Sequence, residues 1–174
     1  MKINSATSAQ IAASDASLST WLTANAGSGK TKVLIDRVAR LLLDGVQPEQ
    51  ILCLTYTKSA AAEMKNRLFD RLGKWAMLAD QELNLSLFET GIQRQLSTNE
   101  LKKARTLFAR AIEAPGGLKI QTIHAFCASL LRKFPLEAGI SPQFGELSER
   151  SQRDLYLRVL EIISKEKSAQ ESFE

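Results

Sequence analysis

The octet Ala24-Asn25-Ala26-Gly27-Ser28-Gly29-Lys30-Thr31 has the residue types that hold a phosphate chain. It follows the pattern G-x-x-x-x-G-K-[ST], with Ala24 as a small-residue variant at the first position. Gly27 and Gly29 permit the backbone bends that turn successive N–H groups towards phosphate oxygens. A helix opening near Lys30 adds its positive N-terminal end. In such a loop Lys30 reaches the β and γ phosphates of ATP, and the Thr31 hydroxyl is a ligand for Mg²⁺. The octet follows a short β-type run, Thr20-Trp21-Leu22-Thr23, and opens a helical pattern. A phosphate loop requires that context, and a chance glycine turn does not.

Two further blocks set polar and aromatic groups at strand ends. Residues 54–67 read LTYTKSAAAEMKNR, which periodicity alone gives as strand, turn and helix. Thr55, Tyr56, Thr57 and Lys58 then fall at the C-terminal end of a parallel strand, where ligands gather in open α/β sheets. An exposed ring beside hydroxyls and a lysine suits single-stranded nucleic acid, with the ring stacking on a base and the polar groups on phosphates. A purely structural βα unit explains the same residues equally well, and on composition both roles stay open. Residues 121–134, QTIHAFCASLLRKF, contain the single histidine of the chain. Thr122, His124 and Phe126 alternate at spacing two, so they are expected to line one face at a strand end, facing nucleic acid. No nucleophile or second metal ligand accompanies His124, which argues against catalytic and zinc roles.

The elements that must position these blocks read as an α/β parallel sheet with flanking helices. After the loop, Val33, Leu34, Val38, Leu41 and Leu42 mark one face of a helix, ended by Asp44-Gly45 with glycine as C-cap and followed by Pro48. Ile51 to Leu54 is a continuous apolar run, the pattern of a buried parallel strand. Ser59 to Leu72 is rich in helix formers. A helical insert spans about 73–117, with turn signals near Asn84 and Ser97-Thr98 and a closing turn at Ala114-Pro115-Gly116-Gly117. Leu118 to Ile123 returns to a strand, and His124 to Glu137 forms a helix broken near Pro135. Phe144 to Leu147 reads as a short strand. Arg150 to Lys165 is an amphipathic helix with Leu155, Tyr156, Val159, Leu160 and Ile163 on one face, followed by a polar, frayed tail. Residues 1–147 thus group as the nucleotide-binding domain and 148–174 as a helical tail.

The 174 residues suffice for a domain with a real core, and 44% hydrophobic with 24% charged residues is ordinary for a globular chain. A net charge of +4 permits an anionic partner without demanding one. Cys53 and Cys127 lie far apart in apolar runs, which reads as two buried free thiols in a reducing compartment. Residues 1–19 lack the apolar stretch of a signal peptide, and no run is long enough to span a bilayer. A soluble, cytoplasmic protein with no membrane partner is expected.

Taken together, the blocks resemble the N-terminal part of the UvrD/Rep-type superfamily-one DNA helicases, and within it the AddA-like branch of helicase–nucleases. ANAGSGKT is similar to motif I of that family, TYTKSAAAEMKNR to motif Ia, and TIHAFCASLLRKFPLEAGI to the DNA-contact block Ib. Gln10, in SAQIAAS, is placed like the glutamine that reads the adenine edge. The order and spacing match over roughly residues 8–147. Many relatives read FTNKAA where this chain has Tyr56-Thr57-Lys58-Ser59-Ala60-Ala61, and the AddA-like and RecB-like proteins resemble this chain better there. The resemblance implies a RecA-like P-loop NTPase fold and an ATP- and Mg²⁺-dependent 3′–5′ helicase–nuclease acting in double-strand-break repair by recombination. Its partners would be single-stranded and duplex DNA, the remaining helicase domains and an AddB-like protein.

Motors of this family hydrolyse ATP with an adjacent Asp-Glu pair at a strand end, one acid on Mg²⁺ and the other on the attacking water. No apolar strand here ends in adjacent acids, and Glu146-Leu147-Ser148-Glu149 is not that arrangement. The fold is therefore expected to be incomplete: a truncated product, a split gene or a cut-down piece that binds nucleotide weakly and does not turn it over alone. Two other roles compete. One is a non-catalytic remnant or interaction module. The other is a stand-alone phosphate-loop kinase, which would need an arginine-bearing lid and an acidic base that the chain does not offer.

Overall fold

The computed structural model describes residues 5–23, 25, 27–92 and 94–171. Among them the chain is mixed α/β, with seven α-helices and a two-stranded parallel sheet. The helices are α1 (Ser5–Ala13), α2 (Lys30–Asp44), α3 (Lys58–Met77), α4 (Asp80–Glu89), α5 (Thr98–Glu113), α6 (Ile123–Lys133) and α7 (Glu149–Glu171). The strands are β1 (Leu52–Thr55) and β2 (Lys119–Thr122), and a short 3₁₀ turn covers Pro48–Gln50. Two compact units are present, residues 1–126 and 127–174.

In the first unit the chain's punctuation works as local chemistry dictates. Gly45 takes φ 100° at the end of α2, and the amides of Gly45 and Val46 donate to the carbonyls of Leu42 and Leu41. A side chain at Gly45 would be strained in that left-handed conformation. Thr57 caps α3 by accepting from the Ala60 amide at 3.1 Å. Ser97 and Glu100 form a reciprocal capping box at the start of α5. Ser97 therefore marks a helix start, as the turn signal there suggested. Asn84 does not mark a turn: it lies inside α4 and donates to the Asp80 carbonyl one turn back. α3 also runs on past Leu72 through Gly73 to Met77, because Leu72 and Trp75 extend its buried stripe.

The core is formed by α2, α3, α4, α5 and the inward side of the strands. Ile35, Val38 and Leu42 of α2, Leu68, Leu72 and Trp75 of α3, and Leu101, Ala104 and Leu107 of α5 are buried in one cluster. Trp75 is fully buried, and its indole N–H donates to the Ser86 hydroxyl on α4 at 2.9 Å. That bond satisfies the one polar atom the ring brings into the core.

β1 and β2 pair in parallel with Leu52 opposite Lys119 and Thr55 opposite Thr122. The connection between them runs through α3, α4 and α5, the long crossover that parallel strands require. β1 is not buried on both faces as its apolar run suggested. Leu52 and Leu54 are exposed, while the intervening Cys53 is half-buried. With only one face covered, the strand has the accessibility pattern of a sheet packed on a single layer of helices. Thr20 to Thr23 is not a strand: an isolated extended run has no ladder partner to satisfy its amides, and Trp21 is 93% exposed there.

In the second unit, Phe144 to Leu147 is irregular rather than a strand. Arg132 lies over the Phe144 ring at 5.3 Å and pairs with Glu146 at 3.4 Å. α6 stops at Lys133, two residues ahead of Pro135, which removes a helix donor. α7 continues to Glu171, beyond the expected end near Lys165, because Glu and Lys there are good helix formers. Cys127 is exposed, against the expectation of burial. Burial raises the Cys53 thiol above its ordinary pKa, so it stays protonated.

Candidate functional site

The loop ahead of α2 has the backbone its composition requires. Gly27 and Gly29 sit at φ 79° and 87°, the left-handed region that any Cβ disfavours. Gly29 is the N-cap residue of α2, which starts at Lys30, so the free amides and positive end of that helix open onto the loop. The Lys30 ammonium donates to the Asn25 carbonyl at 2.6 Å, and the Ser28 hydroxyl donates to the same carbonyl at 2.7 Å. Lys30 thus lies along the loop, where it would meet a phosphate. Thr31 is the second residue of α2 and half-buried. Ala24 and Ala26 lie outside the described residues.

Gln10 on α1 reaches this loop. Its side-chain amide donates to the Ser28 carbonyl at 3.1 Å. α1 is held in place by α2 itself. Arg37 donates to the carbonyls of Asp15 and Leu18, and Arg40 to the Ile11 carbonyl and the Ser14 hydroxyl. Ser14 is fully buried and donates to the Ile11 carbonyl at 2.8 Å.

The second cluster sits at the C-terminal edge of the sheet. Because Thr55 and Thr122 are register partners, both strands end at one level and hand over to helices side by side. α3 starts at Lys58 and α6 at Ile123, so two positive helix ends share one ledge. Thr57 and Thr122 hold those starts: the Thr122 hydroxyl accepts from the Ala125 amide at 3.1 Å. Thr55 donates to the Thr57 carbonyl at 3.0 Å. The groups presented to solvent are Tyr56, which is 83% exposed, Lys58 and His124. The spacing-two face does not form. Thr122 ends the strand and is buried, whereas His124 and Phe126 are on a helix, where i and i+2 point to different sides. His124 is exposed and Phe126 half-buried.

One buried ion-pair cluster was not visible in the sequence. Asp36 of α2 is 2% exposed; it accepts a hydrogen bond from Lys32 at 2.8 Å and forms an ion pair with Arg71 of α3. Burial, followed by the nearby Arg71 charge, lowers the Lys32 ammonium below its ordinary pKa. Lys32 to Asp36 is an i,i+4 pair that spacing alone could suggest. Arg71 lies 35 residues further on, and only the α2–α3 packing brings it in.

The donors on the loop fit a nucleoside triphosphate: left-handed glycines, a helix start and an ammonium. Among the described residues no three His, Cys, Asp or Glu side chains gather as a metal-ligand set. A cation here would depend on the Thr31 hydroxyl and on phosphate oxygens, which is a usual arrangement for Mg²⁺.

Residues 5–174 match the model of the UvrD/REP helicase N-terminal domain. The chain belongs to the UvrD/Rep helicase N-terminal family. Its curated relatives include the AddA-type ATP-dependent helicase/nuclease of Lactobacillus acidophilus, 32% identical over 77% of this chain and 9% of that protein. The same-named protein of Enterococcus faecalis is 30% identical over 75% of this chain and 9% of its own length. That of Desulforamulus reducens is 30% identical over 87% of this chain and 10% of its own length. The chain spans about a tenth of the length of these relatives. No solved structure matches it. No described helix of this UvrD/Rep family member is long and apolar enough to cross a bilayer.

Proposed function

We propose that residues 1–174 are the nucleotide-binding front end of an ATP-dependent 3′–5′ DNA helicase–nuclease motor of the AddA type, acting in the cytoplasm on double-strand breaks. The observation that carries this reading is the loop at 24–31, with Gly27 and Gly29 left-handed and Lys30 opening α2, in a chain of the UvrD/Rep family. In this proposal the Lys30 ammonium exchanges the Asn25 carbonyl for a phosphate oxygen. The helix start and the glycine-freed amides hold the remaining phosphate charge. Thr31 supplies the hydroxyl for Mg²⁺, and bound Mg-ATP supplies the bond whose hydrolysis drives such a motor.

The ledge at the ends of β1 and β2 serves as the single-strand track. Tyr56 offers a face for a base, Lys58 and the two helix starts offer positive charge to phosphates, and the exposed His124 offers a ring N–H donor. Residues 1–147 are then part of a RecA-like domain, and 148–174 begin the next subdomain. The partners this reading requires are duplex DNA, the remaining helicase domains and an AddB-like protein.

The test is Mg-ATP binding and steady-state hydrolysis by the 174-residue chain beside Lys30→Ala, with and without single-stranded DNA. Binding lost in Lys30→Ala with an unchanged melting curve is the expected result. Equal ATP affinity in the two chains sinks the loop assignment. Because residues 1–174 hold no adjacent acidic pair at a strand end, no turnover above the Lys30→Ala background is expected. Turnover that Lys30→Ala removes would mean that a carboxylate of this chain positions the attacking water.

A further inference from the structure

We propose that the groove between α3 and α5 is a docking site for a peptide segment of a partner protein, one that carries an apolar anchor side chain beside a carboxylate. The groove lies within the first unit and does not depend on the nucleotide reading above. It is a cavity of about 420 Å³, lined by Lys65 and Phe69 of α3, by Phe108, Ala111 and Ile112 of α5, and by Leu118 ahead of β2. Lys65 with Phe69, and Phe108 with Ile112, are i,i+4 pairs, so each helix turns two side chains onto the same side.

Three properties select the occupant. The walls are apolar. The Phe69 and Phe108 rings meet edge to face, with centroids 6.2 Å apart, and both pack against the core, while Ile112 is left 57% exposed at the rim. An apolar side chain set among them would take these carbons out of water. A nucleobase would instead bring ring nitrogens and carbonyls that need partners, and the lining side chains include no amide, hydroxyl or carboxyl group to meet them. The charge is positive. Lys65 is the one charged side chain of the lining among the described residues, and its ammonium stands 5.8 Å from the Phe69 ring centroid, at the mouth. A carboxylate next to the anchor is attracted there, and a cation is repelled. The shape is open. A Cβ at Gly117, on the lip, would meet nothing within 4 Å, which lets a partner main chain come close. A small ligand would stay largely in water in such a groove, whereas a peptide can lie across it and insert one side chain.

The experiment selects peptides from a random library displayed on phage against the 174-residue chain. Each enriched sequence is then titrated, as a labelled synthetic peptide, against wild type, Ile112→Lys and Lys65→Glu. Both substituted side chains are exposed, so the melting curves should match that of wild type. The expected peptides carry an aromatic or aliphatic residue beside Asp or Glu. Ile112→Lys should weaken them about 10-fold or more, and Lys65→Glu about 3- to 10-fold. Selection repeated on Lys65→Glu should return the same anchor beside Lys or Arg, a reversal that a merely sticky surface does not show. No enrichment, or only peptides that both variants bind as wild type does, overturns the proposal. So does enrichment without acidic residues that Lys65→Glu leaves unchanged. An oligonucleotide weakened by Ile112→Lys where no peptide is weakened overturns it in favour of nucleic acid. A lower sedimentation coefficient for Ile112→Lys, with no peptide enriched on wild type, overturns it in favour of a second copy of the chain.

Discussion

Tyr56 is almost fully exposed at the end of β1, although the hydroxyls around it are engaged in holding the chain. A large ring left in water between a strand end and a helix start has no packing role to lose. Its removal should leave stability unchanged and act on binding alone. Tyr56→Ala is expected to weaken single-stranded DNA binding by about 1–3 kcal/mol, the worth of one base stacked on an aromatic ring. Fluorescence anisotropy with a labelled oligonucleotide measures it, and equal affinities would return Tyr56 to a structural role. Thr57→Ala should do the reverse. Losing the bond from the Ala60 amide costs about 1 kcal/mol of stability, seen in urea unfolding, because the hydroxyl caps α3. At this scale the sequence was informative wherever a residue type has one common use. The bends at Gly27 and Gly29 and the helix start at Lys30 could be read directly, and the structure puts Lys30 on its own loop. The division of labour on the ledge could not be read, because whether a threonine faces solvent or caps a helix depends on where the helix begins.

Between elements, the ion pair of Asp36 with Arg71 joins the helix that follows the glycine-rich loop to the helix that follows Tyr56. Asp36 is buried, so removing it leaves the Arg71 guanidinium, whose side chain keeps 24% of its exposure, beside Lys32 with only the Glu89 charge to offset it. Breaking a buried pair typically costs about 3–5 kcal/mol, and the residual access of Arg71 to water places Asp36→Ala near the lower end. Urea unfolding should show a loss of about 3 kcal/mol; a loss below about 1 kcal/mol would make the pair a solvated one. The start of α5 supplies a pH test. The Arg94 guanidinium, then the Ser97 amide and hydroxyl, hold the Glu100 carboxyl at about 2, below its ordinary 4.5. A depressed acid stabilises the fold at pH values above its unfolded pKa, and that contribution fades as the pH falls. The advantage of wild type over Glu100→Gln should therefore be full at neutral pH and shrink from about pH 4.5 towards 2. Melting curves over that range check it, and a pH-independent difference would reject the assignment. Elements with strong local signals were legible: Gly45 ends α2 and Ser97 starts α5 where expected. Elements that depend on a neighbour were not. Thr20 to Thr23 has strand-forming residues, but a strand exists only where another chain segment completes its ladder.

For the whole molecule, the amount of apolar surface left uncovered sets its behaviour in solution. On α7, Leu155, Tyr156, Leu157, Val159, Leu160, Ile162 and Ile163 are all exposed, the least of them at 44%. Leu155, Tyr156, Val159, Leu160 and Ile163 recur at helical spacing and form the stripe that the sequence predicted, while Leu157 and Ile162 widen it. Monomeric proteins rarely leave a contiguous apolar band of this kind in water. The 174-residue chain is therefore expected to self-associate in the micromolar range or below, and sedimentation velocity over a concentration series reads the effect. Charge offers a rival explanation, since the chain carries 23 basic and 19 acidic residues that could pair between copies. Salt separates the two. Association through α7 should tighten in ammonium sulfate, which strengthens apolar burial, whereas association through charge should loosen as ions screen it. Leu155→Lys combined with Leu160→Lys should return the chain to monomer without changing its melting curve, because neither side chain belongs to the buried core. A wild-type chain that stays monomeric at every concentration, or a double variant that associates as strongly, would mean that this band is not the adhesive surface.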